Sequence, residues 1–319
     1  MFAAADEKCC LRDKGGTRVF LSNLLDNPRA ALIGLLLSLP GILLALCAHE
    51  SAHAYIADRC GDPTARLMGR ISLNPLRHID PIGFACMFLV GFGWAKPVPV
   101  NPNNLRNGRR DDLKVSLAGI VTNLILCLLS FLLMMVIVQI AIHKTPSYTG
   151  TLAYYRAADV DVAFVTVGGE RYLASSLTLD MKELFNAASG LWSYKDASGA
   201  TFNILDNFIN PVLGEVPGYL YQIFFRSACI NVALAVFNLI PLPPLDGYHV
   251  LNDLMLKRPL FATEKAVRIG GGIMMALILI CNYNADWDII SIAINFVEQH
   301  VFIGLSSLAR LFSAAVHLI

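Results

Sequence analysis

The chain has 319 residues, 55% of them hydrophobic and 15% charged, with a formal net charge of +1 and a mean hydropathy of +0.56. Soluble domains are about a quarter charged, so this balance excludes an ordinary soluble globule and points to a membrane. Near-neutral charge, with no helix–turn–helix, zinc-finger or RNP-type pattern, gives no sign of a nucleic-acid partner.

In chain order, residues 1–30 are a mostly polar N-terminal tail whose Cys9 and Cys10 read as plain thiols rather than lipid attachment sites. A secretory signal would begin with a short basic stretch at the very start, so the apolar run that follows this tail reads as a retained span. Long apolar segments lie at Ala31–Ala57, Leu113–Ile142, Tyr219–Leu245 and Ile289–Leu311. Each approaches or exceeds the roughly 20 residues a helix needs to cross a bilayer. Pro81–Gly93 and Ile269–Cys281 are shorter, as a re-entrant or tilted element, or a span completed by its flanks, would be. Five of the eight cysteines (Cys47, Cys86, Cys127, Cys229 and Cys281) fall in such segments and there is no CxxC pair; they behave as small hydrophobes rather than a disulfide framework.

Between the spans, ARLMGRISLN at Ala65–Asn74 alternates as a strand pair would. Such a hairpin is either structural or an edge that takes a substrate as an added strand. The polar stretch Lys144–Gly218 reads as an insert, with a β-hairpin in DVDVAFVTVGGERYLAS around Gly168-Gly169 and a short helix in TLDMKELFNAA capped by Thr178 or Asp180. Gly270-Gly271-Gly272 lacks the lysine of a phosphate loop and reads as close helix packing. The expected fold is an all-α polytopic membrane protein: a transmembrane helix core, a re-entrant/β-hairpin segment and a small α+β extramembrane insert. Its parts are the tail 1–30, membrane core 31–143, insert 144–218 and second core portion 219–319.

Chemistry concentrates at LLALCAHESAHAY, residues 43–55. His49 and His53 are four apart, so on a helix they share a face and can reach one metal ion. Glu50 lies beside them, where a carboxylate can take a proton from a water whose pKa zinc lowers to about 7. Ionisable side chains within an apolar span are costly and usually functional.

A catalytic zinc site has three protein ligands and an open position. The extended HExxHxxGxxH pattern fails, because Ile56 and Arg59 stand where it needs glycine and histidine, and no glutamate lies between Glu50 and Glu170. His78 and Asp80 are candidates in a polar stretch. Asp246 is another, in FNLIPLPPLDGYHVL, where Pro241, Pro243 and Pro244 break the helix. Non-helical backbone at membrane depth is tolerated only inside protein or against a water-filled cavity. His249 is either a partner that orients a ligand or a solvated loop histidine; His78, His143, His300 and His317 read as non-catalytic.

These residues resemble the site-2 proteases, intramembrane zinc metalloproteases, over about Ala31–Leu256. His49-Glu50-Ser51-Ala52-His53 is similar to the family's HExxH, and the stretch from Asn238 to Gly247 to its NxxPxPxxDG. GWAKPVPVNP, Gly93–Pro102, is similar to a loop of compact prokaryotic members. The resemblance implies His49, His53 and Asp246 as ligands to one zinc ion per chain, Glu50 as general base and Asn238 as a polar group near the reacting carbonyl. Ala118-Gly119-x-x-x-Asn123 resembles the family's AGPxxN, with Ile120 in place of proline. Asn231 fits the wider Asn-rich stretch.

Topology follows from spacing. If all six apolar segments crossed, HExxH and Asp246 would lie on opposite sides; a re-entrant Pro81–Gly93 puts them on one. Arg59, Arg66, Arg70, Arg77, Lys96, Arg106, Arg109 and Arg110 lie there with further basic residues, and the positive-inside rule makes that side cytoplasmic. The sequence thus predicts a multi-pass cell-membrane zinc endopeptidase that cleaves single-span or membrane-anchored proteins, with its active site nearer the cytoplasm. A transporter or channel with a structural metal site is the alternative, and would need ligands reachable from both sides.

Overall fold

The computed structural model describes residues 28–90, 93–144, 209–255 and 264–283, five strands between 152 and 203, and scattered positions between 293 and 305. It is mostly helical. The first helix, α1, runs Pro28–Cys60 and carries Pro40 within it. A short α2, Thr64–Leu67, and a ten-residue α3, Pro81–Val90, lead to the long α4, Arg109–Lys144. After α5, Asn210–Leu213, come α6, Glu215–Asn238, then α7, Asp246–Leu254, and α8, Glu264–Tyr283.

Three of these helices are long and apolar enough to cross a membrane: Ala31–Cys60, Arg109–Val138 and Glu215–Asn238. Only 22–44% of their most apolar windows is buried within the protein, so their remaining faces require lipid. On α4 the division is plain. Val121, Leu124, Ile125 and Leu128 are exposed, whereas Ile120, Asn123 and Cys127 are buried.

Two sequence expectations change here, at the end of the third span and at Ala65–Asn74. The third span ends at Asn238 rather than Leu245, because Pro241, Pro243 and Pro244 lack the N–H that helix continuation needs. Pro81–Val90 is helical, about 15 Å long at 1.5 Å per residue, half the ~30 Å bilayer core. Ala65–Asn74 is not a hairpin. Asp62 accepts the Thr64 N–H and hydroxyl, starting α2 directly behind α1. Gly69, at φ +67°, then ends the turn. The β-hairpin element of the expected fold is therefore absent from this segment, and with it the substrate edge.

The chain divides into two compact units. One comprises Met1–Asp13, Ser130–Phe225 and Glu298–Ile319; the other Lys14–Leu129 and Arg226–Val297. In the first, strands Leu152–Ala157, Val160–Val167 and Glu170–Leu173 (β1–β3) form an antiparallel sheet, with Val167 opposite Glu170 across residues 168–169. Strands Ser193–Lys195 and Thr201–Asn203 (β4 and β5) make a separate pair. The helix expected in TLDMKELFNAA and most of Ile289–Leu311 fall outside the described residues.

The second unit carries the site. The C-terminal part of α1 packs against the N-terminal half of α4, where His53 bonds to the Val115 carbonyl and Gly119 faces the rings, and a loop layer covers the end of α1. Asp62, fully buried, ties that layer together: besides Thr64 it accepts the Asn101 N–H at 2.7 Å and the Asn104 amide at 2.9 Å. Burial disfavours the charged carboxylate, but these donors outweigh it and hold the Asp62 pKa below its ordinary value. Buried Arg70 donates to the Arg77 carbonyl, and the Lys96 N–H donates to the His78 carbonyl at 2.7 Å.

Candidate metal centre

His49 and His53 sit one turn apart on the buried face of α1, 6% and 8% exposed. Asp246 reaches them from the first turn of α7. The three ligand-type atoms form a triangle: His49 Nε2 to His53 Nε2 is 3.0 Å, and the two nitrogens lie 3.2 and 3.3 Å from Asp246 Oδ2. A tetrahedral ion with bonds of ~2.0–2.1 Å separates its ligand atoms by about 3.3 Å, so the triangle fits zinc. Asp246 Oδ2 is buried with no hydrogen-bond partner of acceptable geometry, as expected of an atom whose partner is a cation. Among the described residues this is the one such cluster of His, Cys, Asp or Glu.

The sequence near Asp246 explains its placement. The proline-rich break turns the chain after α6, and Gly247 lets it fold back. A Cβ on Gly247 would lie 2.3 Å from the Leu239 carbonyl oxygen and 2.6 Å from that of Ile240, so no other residue allows α7 to seat so close to the end of α6. Buried Leu245 and Met274, with Phe237, Ile240 and Leu242, pack around the turn. The positive end of the α7 dipole also favours an ionised carboxylate at position 246.

One stripe of α4 orders the histidines. His53 Nδ1–H donates to the Val115 carbonyl at 2.7 Å, which fixes the tautomer that leaves Nε2 free as a ligand. One turn on, Gly119 faces both rings. A Cβ there would lie 2.5 Å from His49 Cε1 and 2.6 Å from His53 Nε2. A further turn on, Asn123 is fully buried with its amide 3.3 Å from His49 Nδ1 and its Oδ1 unpartnered. A ligating His49 carries its proton on Nδ1. Turning the Asn123 amide by 180° gives that proton a carbonyl acceptor and partners the orphan oxygen in one move. At the start of the stripe, Asp112 Oδ2 lies 3.2 Å from His249 Nδ1 on α7. Positions 112, 115, 119 and 123 follow the helical repeat, so one face of α4 addresses the elements carrying all three candidate ligands.

His249 is therefore a helical residue, half exposed at its side chain and paired with Asp112, rather than a loop residue in free solvent. The Asp112 hydrogen bond raises its pKa, outweighing burial. Arg109 reinforces the same junction, donating to the Asn252 carbonyl and lying 3.3 Å from Asp253.

Glu50 is oriented by the loop layer. Its Oε2 accepts the Val98 N–H at 3.0 Å. Within Pro97-Val98-Pro99 that is the single backbone donor, since proline has none, and it points at the one carboxylate beside the triangle. The other third-ligand candidates serve the framework. His78 is buried and donates through Nε2 to the Ser72 carbonyl at 2.7 Å; Asp80 Oδ1 accepts the Ile82 and Gly83 N–H groups that open α3. Asn238, at the end of α6, donates its amide to the Leu234 carbonyl at 3.0 Å, and Asn231 donates to that of Ser227 at 2.8 Å.

Sequence reasoning singled out Asn123 and His249 but gave neither these partners. It missed Val98 and the Val115 carbonyl, and assigned no role to Gly119 or Asp112. The isolated donor of a Pro-x-Pro segment was the one local signal for Val98.

Comparison with known proteins agrees with this geometry. The profile of peptidase family M50 matches residues 38–280. A protein of Bacillus subtilis named as a zinc metalloprotease, YwhC, is 31% identical over 214 residues, covering 67% of each chain. Two mycobacterial proteins named as zinc metalloproteases, both Rip2, align over 36% of this chain and 46% of their own length. The Mycolicibacterium smegmatis protein is 29% identical and that of Mycobacterium tuberculosis 32%. No solved structure matches the chain significantly. With the family profile covering most of the chain and the donor triangle in place, the protein belongs to peptidase family M50, the site-2 family of intramembrane zinc metalloproteases.

Proposed function

We propose that His49, His53 and Asp246 hold the zinc ion, that Glu50 is the general base, and that the protein cleaves single-span or membrane-anchored proteins within or near their transmembrane segment. The observation that carries this proposal is the meeting of the buried ligand triangle with a carboxylate whose free movement is restricted by Val98. When bound, zinc supplies Lewis acidity that brings the pKa of a water to about 7 and polarises a carbonyl. Glu50, held at Oε2 by the Val98 N–H, takes the proton from the attacking water and delivers it to the leaving amine. His53 and His49 are kept in register by the Val115 carbonyl and Asn123.

Asn238 is the proposed donor to the developing oxyanion, released from the Leu234 carbonyl when substrate arrives. The substrate helix unwinds first, because an intact helix keeps its peptide groups hydrogen-bonded internally. The basic residues between α1 and α4 support an active site nearer the cytoplasmic face, with Lys144–Gly218 on the opposite side and Pro81–Val90 re-entrant.

Purified protein is expected to carry about one zinc per chain. Proteomic comparison of membranes containing wild type or Glu50→Gln should show uncut single-span proteins accumulating with the variant, while its zinc stays bound. Equal cleavage by both would remove Glu50 from the base role. Full zinc retention in Asp246→Ala would remove the third ligand.

A further inference from the structure

A cavity of about 310 Å³ lies between α1, α3, α6 and the extended stretch that begins at Gly93, lined by Ile42, Leu46, Gly83, Trp94, Ala233 and Phe237 among others. Close-packed interiors leave few voids larger than a water, and this one is lined almost wholly by apolar groups, so it offers water no hydrogen-bond partners. Its walls include close neighbours along the chain of the proposed catalytic groups. Leu46 precedes Glu50 by four residues on α1, hence on the same face and one turn away. Ala95, also in the lining, precedes by three residues the Val98 whose N–H holds Glu50. Phe237 is adjacent to Asn238, and Leu234 supplies the carbonyl to which Asn238 is bonded.

We infer that this cavity is the subsite for one large apolar side chain of the substrate, beside the bond that is cut. It rests on the assignment of Glu50 as base. The occupant follows from three features together. The lining selects an apolar group. The volume is at the lower end of the ~300–1,000 Å³ range of ligand pockets, suited to a large side chain rather than a whole helix. Three wall segments each carry a lining residue within four positions of a group of the catalytic site, so a side chain seated here holds its own backbone near that site. The cavity also gives an unwound segment something to exchange for the lipid contacts it leaves.

The test separates binding from chemistry. Synthetic span-length apolar peptides in detergent, varied at one position from Gly and Ala to Leu, Met and Phe, are bound to the zinc-loaded Glu50→Gln protein. The wild-type protein cuts the same peptides, with sites mapped by mass spectrometry. Leu or Phe at one fixed position from the cut should bind and be cut at least about tenfold better than Ala there. Adding Ala233→Phe, which fills the cavity, should reverse that order. Leu46→Ala, which enlarges it, should favour Phe over Leu. An unchanged preference in both variants, with zinc retained, overturns the subsite. So does release of bound lipid by Ala233→Phe with no change in peptide preference, which would make the cavity an acyl-chain site. Normal cutting by Glu50→Gln overturns the base assignment and leaves the binding preference to be judged by itself.

Discussion

Replacing Gly119 by alanine adds one methyl group where the structure has no room for it. The new Cβ would lie 2.5 Å from His49 Cε1, 2.6 Å from His53 Nε2 and 2.7 Å from His49 Nδ1. Carbon and nitrogen do not approach so closely without a bond, so the rings or α4 must move by roughly one ångström to reach ordinary contact of ~3.5 Å. Metal–ligand distances tolerate only about ±0.2 Å, and the triangle edges are already 3.0–3.3 Å. Loss of an outer partner of a ligand typically costs 10- to 100-fold in metal affinity. Displacing the ligands themselves should cost at least that, about 1.4–2.8 kcal/mol.

The zinc-free protein should respond less. The clash is present there too, but no bound ion fixes the rings, and alanine within a helix is better than glycine by roughly 0.8–1 kcal/mol, which offsets part of the cost, so Gly119→Ala should lower the apo melting temperature less than that of the zinc-loaded form. Zinc affinity measured by competition with a chelator, alongside melting of the apo and zinc-loaded forms in detergent, reads both effects. Wild-type zinc affinity in Gly119→Ala would refute the close approach of α4 to the histidines.

Asn123→Ala should lower zinc affinity by about 10- to 100-fold through loss of the His49 partner; unchanged chelator competition would show that His49 is oriented otherwise. Asn238→Ala should reduce turnover by about 100- to 1,000-fold, the usual worth of an oxyanion donor, with zinc content and melting near wild type. Full activity per zinc-loaded molecule would leave Asn238 its helix-end hydrogen bond to Leu234 and nothing more. His249→Ala should destabilise by about 0.2–1 kcal/mol, as for a partly exposed ion pair. Because the folded His249 pKa is raised, chiefly by the Asp112 hydrogen bond, that contribution is complete below the ordinary histidine value. It disappears as pH rises through the folded value; a difference in melting that grows with pH would contradict the Asp112–His249 pairing.

The sequence by itself determined what depends on neighbours along the chain. Helical periodicity alone puts His49 and His53 on one face, with Glu50 beside them. Apolar length alone marks α1, α4 and α6 as spans, and the prolines between Ile240 and Asp246 alone end α6. Local pattern misled where tertiary bonds competed with it: Ala65–Asn74 alternates, but Asp62 and the turn at Gly69 make it a helical turn.

Only the tertiary structure brings Asp246, and not His78, to the two histidines, because both lie far from His53 in sequence and differ chiefly in what surrounds them. It alone revealed the supporting α4 stripe, since the Val115 carbonyl and the Val98 N–H are backbone groups that every residue but proline carries equally. Gly119 works through the absence of a side chain. Its meaning emerges only when two imidazole rings occupy the space that a Cβ would fill.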